Sequence, residues 1–186
     1  RVPKVEQLPS LVKRLDLPSA QEVALIIQHL RHDAALLIRT FAETGLRKSE
    51  LFSLRWSDID HERGAIMVRA RGDFTPKTEH SQRDVFISRS LLSDLMSLER
   101  TSSELVFPGK GGAQRTSVAK SLSSAIRRAS LARDGRPMHV TLHMLRKAHA
   151  SWHAEQGTPP FVLQDRLGHA RGSRVTQQVY LHASEA

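Results

Sequence analysis

The chain has 186 residues, of which 39% are hydrophobic, enough for one domain with a sizeable core. It has no cysteine, which excludes disulfides and a thiolate nucleophile and fits a reducing cytosol. It shows neither an apolar run of membrane-spanning length nor a charged-then-apolar leader. The net charge of +9 favours a polyanionic partner. Because aromatic residues make up only 5%, contacts to duplex phosphates fit better than stacking on single-stranded bases.

Residues 1–18 contain three prolines and charges of both signs, which is typical of a linker or arm. The chain begins with Arg rather than Met. We therefore expect a fragment of a longer protein, in which residues 19–186 form the folded domain.

Helix signals are frequent along this domain. Ser19 and Glu22 form the pattern of a capping box, and Gly45 is a natural left-handed cap for the helix before it. The periodicity predicts helices after Ser19, over Ala34–Thr44, from Arg47 through Leu54, and over 90–98, 117–132, 142–156, 160–167 and 176–180.

Two segments read instead as strands. They are Ala65–Ala70 and Asp84–Ser88, joined by the polar, hairpin-like stretch Arg71–Thr78. The glycine-rich stretch Gly109–Gly112 reads as a loop and lacks the ending of a nucleotide-binding P-loop. The sequence thus predicts a mainly α fold with a small antiparallel β-sheet.

The segment His143-Met144-Leu145-Arg146 presents two polar side chains together. Residues three apart share a helix face, so His143 and Arg146 point the same way. We expect another face of this helix to be core, with His149 as a hydrogen-bonded histidine at its edge. That face carries Leu142, Leu145, His149 and Trp152.

Three further elements are each unremarkable alone. Arg47 lies one turn before Glu50, an arrangement usual for a surface ion pair worth under about 1 kcal/mol. His169 follows a helix-ending glycine, and Tyr180 is the single tyrosine of the chain.

Taken in order, these elements are much more specific. T-G-L-R-K-S-E, T-P-K-T, H-M-L-R, L-G-H and a tyrosine eleven positions later resemble the tyrosine recombinase family, also called phage-type integrases. The resemblance covers about residues 19–184 and implies the catalytic-domain fold of that family for residues 19–186. The family usually has a DNA-clamping domain ahead of this one, so the resemblance implies that residues 1–18 are a linker or arm from a missing N-terminal DNA-binding domain. Lys147, Phe86 and Gln177 depart from the usual pattern, but none of them replaces a reacting group.

The resemblance implies a role for each matching residue. Tyr180 would be the nucleophile, Lys77 the catalytic lysine, and His143 the histidine of the H-x-x-R box. Glu50 would support the first catalytic arginine, and His169 fills a position held by His or Trp. The two catalytic arginines would be Arg47 and Arg146.

The activity that this implies is site-specific recombination of double-stranded DNA through a 3′-phosphotyrosine. The family assembles on paired sites, so a homotetramer is expected, in a bacterial, phage or plasmid setting and in the cytoplasm. Arginines supply the positive charge, so we expect no metal and no cofactor. Energy retained in the phosphotyrosine makes ATP unnecessary.

Three other readings remain open. A type IB topoisomerase-like enzyme would use the same chemistry to relax DNA. A non-catalytic DNA-binding module would keep the fold, although the full set of reacting groups argues against it. A zinc enzyme is suggested by ten histidines and the His149/His153 pair, but His149 falls on the apolar face and no zincin glutamate is present.

Overall fold

A computed structural model describes residues 16–70 and 82–169. Residues 1–15 of the predicted linker lie outside these ranges. Lys77 and the predicted last helix, which contains Tyr180, lie outside them as well. The described part is mainly helical with small antiparallel sheets, which confirms the predicted fold class. Within it, no helix is long and apolar enough to cross a bilayer.

Seven α-helices lie in the described ranges, each within or overlapping a segment that the sequence predicts to be helical. The Ser19 hydroxyl accepts from the Glu22 amide, and the Glu22 carboxylate accepts from the Ser19 amide, so the predicted capping box is confirmed. The helices are α1 (Ala20–Gln28), α2 (His32–Thr44), α3 (Lys48–Phe52), α4 (Arg89–Met96), α5 (Ala119–Arg128), α6 (Leu142–Glu155) and α7 (Pro160–Leu167).

A three-stranded antiparallel sheet lies between α3 and α4 in the chain. Its strands are β1 (Ile59–Asp60), β2 (Ala65–Val68) and β3 (Arg83–Phe86), with β2 in the centre. The second predicted strand ends at Phe86 rather than Ser88, because the Ser88 hydroxyl caps α4 by accepting from the Leu91 amide. Strand β1 was not predicted.

A second, two-stranded sheet was also missed. The prediction of helix over 117–132 was wrong at its end, since α5 stops at Arg128 and is followed by β4 (Ala132–Arg133) and β5 (Arg136–Pro137). The turn residues Asp134 and Gly135 both have positive φ, of 50° and 71°. An Asp-Gly pair is the usual sequence of such a two-residue hairpin turn, so this signal was available.

The core is built around α2 and α6, which pack against each other. Leu37, Ile38 and Phe41 of α2 and Leu145 of α6 are at most 1% exposed. The Thr141 hydroxyl caps α6 by accepting from the Met144 amide. This register buries one face of α6 and turns the neighbouring face, with His143 and Arg146, toward a cleft.

Candidate active site

Arg47 lies in the sharp turn between α2 and α3. Gly45 ends α2 with φ +61°, and a Cβ there would come within 2.5 Å of Cδ2 of His149. Arg47 is the residue before α3 rather than part of its first turn. This placement leaves the Arg47 side chain 24% exposed at the rim of the cleft.

The Arg47 guanidinium is held from two sides. Nη1 donates to Oε1 of Glu50 at 2.8 Å, and Nη2 donates to the carbonyl of Gly168 at 2.6 Å. The backbone amide of Arg47 donates to Oε2 of Glu50 at 2.7 Å. The Glu50 carboxylate therefore accepts from both the side chain and the backbone amide of Arg47.

Arg146 is held mainly by backbone carbonyls. Nη1 donates to the carbonyl of Gly45 and Nη2 to that of Leu167 at 2.6 Å. Burial and the nearby Arg47 lower the pKa of Arg146 to about 9, so it remains charged at neutral pH. Its guanidinium is thus a preorganised cation beside Arg47.

His169 joins this pair through its ring. Its backbone amide donates to the carbonyl of Gln164 at 2.9 Å, beyond the left-handed Gly168 that ends α7. Its Nε2 lies 3.0 Å from Nη2 of Arg146, and because Nη2 is a donor, Nε2 accepts. Burial, followed by the charges of Arg146 and Arg47, lowers the pKa of His169 to about 4, so the ring is neutral at pH 7.

His143 is exposed in the first turn of α6, on the same cleft as Arg146. Its pKa is lowered by partial desolvation, then by Lys147 and Arg146. The ring is therefore neutral at pH 7 and available to accept a proton. The prediction that His143 and Arg146 are presented together is confirmed.

Sequence reasoning missed the importance of Arg83, which begins β3. Its Nη1 and Nη2 donate to the two carboxylate oxygens of Glu50 at 3.1 and 2.9 Å. The side chains of Arg83 and Glu50 are only 7% and 2% exposed. Burial raises the pKa of Glu50, but Arg83 and Arg47 outweigh this and hold it below its ordinary value. A signal existed, since strand alternation puts Arg83 on the same face as the buried Val85.

The end of α7 gathers three arginines. The carbonyl of Arg166 accepts from Nε of Arg83 at 2.7 Å, and those of Leu167 and Gly168 accept from Arg146 and Arg47. Carbonyls at a helix C-terminus have no intrahelical partner and carry partial negative charge. They are therefore suited to holding guanidinium groups in fixed orientations.

A cleft of about 630 Å³ is lined by Arg47 and Arg146 together with His143 and His169. Guanidinium forks match the oxygens of a phosphate group, so the cleft suits a phosphodiester. Its wall beyond the basic groups is formed largely by α5, α6 and the segment before α6. The charged and histidine residues along it are Arg47, Lys48, His139, His143, Arg146, Lys147 and His169.

His149 is a core histidine, as predicted. It is 1% exposed, its Nδ1 donates to the carbonyl of Ala42 at 2.8 Å, and its Nε2 accepts from Nε of Arg166 at 3.2 Å. Burial, His153 and Arg166 lower its pKa to about 3. Both ring nitrogens are engaged, which argues against the zinc reading. Among residues 16–70 and 82–169, no three potential metal-binding side chains are grouped together.

The fold can be compared with solved structures. XerA recombinase superposes with a TM-score of 0.66 at 22% identity, covering 96% of this chain and 61% of that one. The structure of a lambda integrase dimer bound to a core site gives a TM-score of 0.64 at 20% identity, covering 88% and 58%. The fold is therefore that of tyrosine recombinase catalytic domains.

The sequence comparisons then show the family. The phage integrase family model matches residues 15–186. Tyrosine recombinase XerC of Xanthomonas campestris pv. campestris is 32% identical over 98% of this chain and 52% of its own length. For XerC of Xylella fastidiosa the values are 30%, 98% and 57%. The chain belongs to the phage integrase family of tyrosine recombinases, and it spans about half the length of these relatives.

Proposed function

We propose that this chain is the catalytic part of a site-specific recombinase that cleaves and rejoins double-stranded DNA. The observation that carries the proposal is the pair of anchored guanidinium groups, Arg47 and Arg146, on one cleft with the neutral His143. Preorganised donors of this kind typically contribute about 3–4 kcal/mol each to a charged transition state.

In the proposed reaction, the hydroxyl of Tyr180 attacks a DNA phosphorus. With a pKa near ~10, this hydroxyl must lose its proton as it attacks, and His143 is the proposed acceptor. Arg47, Arg146 and His169 surround the non-bridging oxygens. The 3′-phosphate becomes bonded to tyrosine, and the bond to the 5′ oxygen breaks as Lys77 protonates that oxygen. Attack by a 5′ hydroxyl reverses these steps, so neither ATP nor a metal is required.

The names of relatives and neighbours support duplex DNA as the partner. XerH is described as bound to its difH substrate in a post-cleavage complex, and the Tn1549 transposon integrase as bound to transposon right end DNA. The net charge of +9 agrees with such a partner. We extend the proposal to a homotetramer on paired sites, acting in the cytoplasm of a bacterial host.

The test uses covalent capture, because the target sequence is unknown. The chain is incubated with a nicked duplex library of random sequence, denatured in SDS, and the protein-linked DNA is recovered and sequenced. We expect linkage to one family of sites, unchanged by excess EDTA and absent in Tyr180→Phe, which should bind the duplex almost as well as wild type.

The other outcomes are informative. An adduct that survives Tyr180→Phe removes the proposed nucleophile, and an adduct lost in EDTA and restored by Zn²⁺ or Mg²⁺ overturns the mechanism. Adducts at scattered sequences, together with relaxation of a supercoiled plasmid, favour the topoisomerase-like reading. Sequence-specific binding without any adduct favours a non-catalytic module.

A further inference from the structure

The shared carboxylate of Glu50 is the starting point. Oε1 accepts from Nη1 of both Arg47 and Arg83, at 2.8 and 3.1 Å, while Oε2 accepts from the Arg47 amide and from Nη2 of Arg83. A carboxylate that is 2% exposed is costly to bury unless its charge is matched. Glu50 is therefore balanced by two cations, Arg47 three positions away and Arg83 33 positions away in the chain.

The summed charge of Arg47, Glu50 and Arg83 determines how strongly Arg47 attracts an anion. Two guanidinium groups facing one carboxylate leave one net positive charge. If Arg83 were absent, Arg47 and Glu50 would form a neutral pair, and the attraction of Arg47 for an anion in the cleft would be weakened. Because Arg83 balances the negative charge of Glu50, the positive charge of Arg47 is not cancelled. Glu50 can therefore orient Arg47 without weakening its attraction for an anion.

Arg83 is well placed for this role but not for contact with a substrate. Its side chain is 7% exposed, and Arg83 is not among the described residues that line the cleft. Nε donates to the carbonyl of Arg166 at 2.7 Å, next to the carbonyls that hold Arg146 and Arg47. Arg83 also opens β3, the strand that follows the segment containing Lys77.

We infer that Arg83 is a positioning residue of the active site, acting through Glu50 on the geometry and charge of Arg47. The inference rests on the proposed function for its catalytic consequence, although its effect on Arg47 does not depend on that function. Arg83 also fixes the start of β3 to the end of α7, so the element following Lys77 is held to the turn that carries His169.

Two measurements test this inference on the same set of variants. The first is the single-turnover rate of adduct formation on the duplex recovered by covalent capture. The second is titration with inorganic phosphate of protein labelled with ¹⁵N at arginine, following the Nε–Hε signal of Arg47, which is assigned through its loss in Arg47→Lys. The second measurement requires no catalysis.

We expect Arg83→Met to slow adduct formation roughly ten- to a hundredfold, the size of effect that a displaced catalytic group produces. Phosphate affinity should fall roughly tenfold, since one nearby charge is lost. Arg83→Lys keeps the charge without the two-pronged contact, so it should recover most of the phosphate affinity and less of the rate.

A double variant tests whether Arg83 acts through the carboxylate of Glu50. In Arg83→Met/Glu50→Gln the unbalanced carboxylate is gone, so this protein should be more stable than Arg83→Met and should regain part of the phosphate affinity. If Arg83→Met alone does not fold, the double variant can still be compared with wild type in both measurements. The matched control is Arg39→Met, which breaks ion pairs to Glu43 and Asp94 outside the cleft and should leave both readouts at wild-type values.

Two results would overturn the inference. One is a folded Arg83→Met protein with an unchanged rate and an unchanged Arg47 signal. The other is a double variant with the same phosphate affinity as Arg83→Met, because Arg83 would then not act through Glu50. If wild type forms no adduct but its Arg47 signal and phosphate affinity depend on Arg83, the inference is supported and the proposed recombinase function fails.

Discussion

Nη2 of Arg146 lies 3.0 Å from Nε2 of His169, and the donor in this contact belongs to the arginine. His169 thus helps to orient the guanidinium of Arg146, and the proton of its neutral ring is on Nδ1. The resemblance places His169 at a position that the family fills with His or Trp. The geometry adds an acceptor role toward Arg146.

This role predicts a difference between two His169 substitutions. His169→Gln retains an oxygen that can accept from Arg146, whereas His169→Leu leaves that donor without its ring partner in a partly buried site. We expect the Leu variant to form the covalent adduct roughly tenfold more slowly than the Gln variant. Equal rates in a single-turnover assay would show that accepting from Arg146 is not what the His169 ring contributes.

The pKa of His143 predicts an acid limb in the rate of cleavage. Its ordinary value of 6.5 is lowered by desolvation and then by Lys147 and Arg146. If neutral His143 accepts the tyrosine proton, the rate should fall as pH drops through this lowered pKa, with a midpoint below 6.5. Because Lys147→Met removes a neighbouring positive charge, it should raise the pKa and move the midpoint to higher pH.

The control for this experiment is Lys120→Met, which lies outside the cleft and should leave the midpoint in place even if DNA binding weakens. The profile is measured as single-turnover adduct formation at saturating DNA. A midpoint that does not respond to Lys147→Met would mean that a group other than His143 sets the acid limb.

The left-handed turn at Gly168 predicts that an alanine there lowers both stability and activity, whereas an alanine at another left-handed glycine lowers stability alone. Its φ is +62°, and a Cβ would come within 2.8 Å of Nη1 of Arg83 and 3.2 Å of Nη1 of Arg47. Gly168→Ala should lose about 1–3 kcal/mol of stability from backbone strain and should cleave roughly a hundredfold more slowly, because both arginines must shift.

Gly157→Ala is the matched control, because its φ is +77° and a Cβ there meets nothing within 4 Å. It should show a similar loss of stability by urea denaturation, with adduct formation close to that of wild type. If both alanine variants cleave equally well, the turn at Gly168 does not position the arginines.

Lys77 lies outside the described residues, so its role is tested by chemistry. An ammonium can donate a proton to the 5′ oxygen, whereas a guanidinium at its ordinary pKa holds its proton too tightly. A 5′-bridging sulfur leaves without such help, because a thiol ionises near pH ~8.5. Lys77→Ala should cleave normal DNA very slowly and the phosphorothiolate at nearly the wild-type rate.

Arg146→Ala is the comparison, since a group that stabilises the non-bridging oxygens should not be rescued by sulfur to the same degree. If sulfur does not rescue Lys77→Ala either, the lysine serves binding or structure. The general acid would then be sought first at His143.

Several features followed from the sequence by itself. The capping box at Ser19, the helix ends at Gly45 and Gly168, and the shared face of His143 and Arg146 were all predicted and are seen in the structure. Each depends on residues at most four positions apart, where backbone geometry fixes which groups meet. The order of the motifs was enough to indicate the family, which the comparisons confirm.

The assembly of the site was decided only by tertiary structure. Glu50 and Arg83 are separated by 33 positions, and Arg47 reaches the carbonyl of Gly168 across 121. No local rule specifies such pairs, because they depend on how α7 packs against β3 and α6. The sequence indicates the groups that are proposed to react, whereas packing selects the carbonyls and the carboxylate that hold the arginines, since a buried guanidinium must find acceptors wherever the fold presents them.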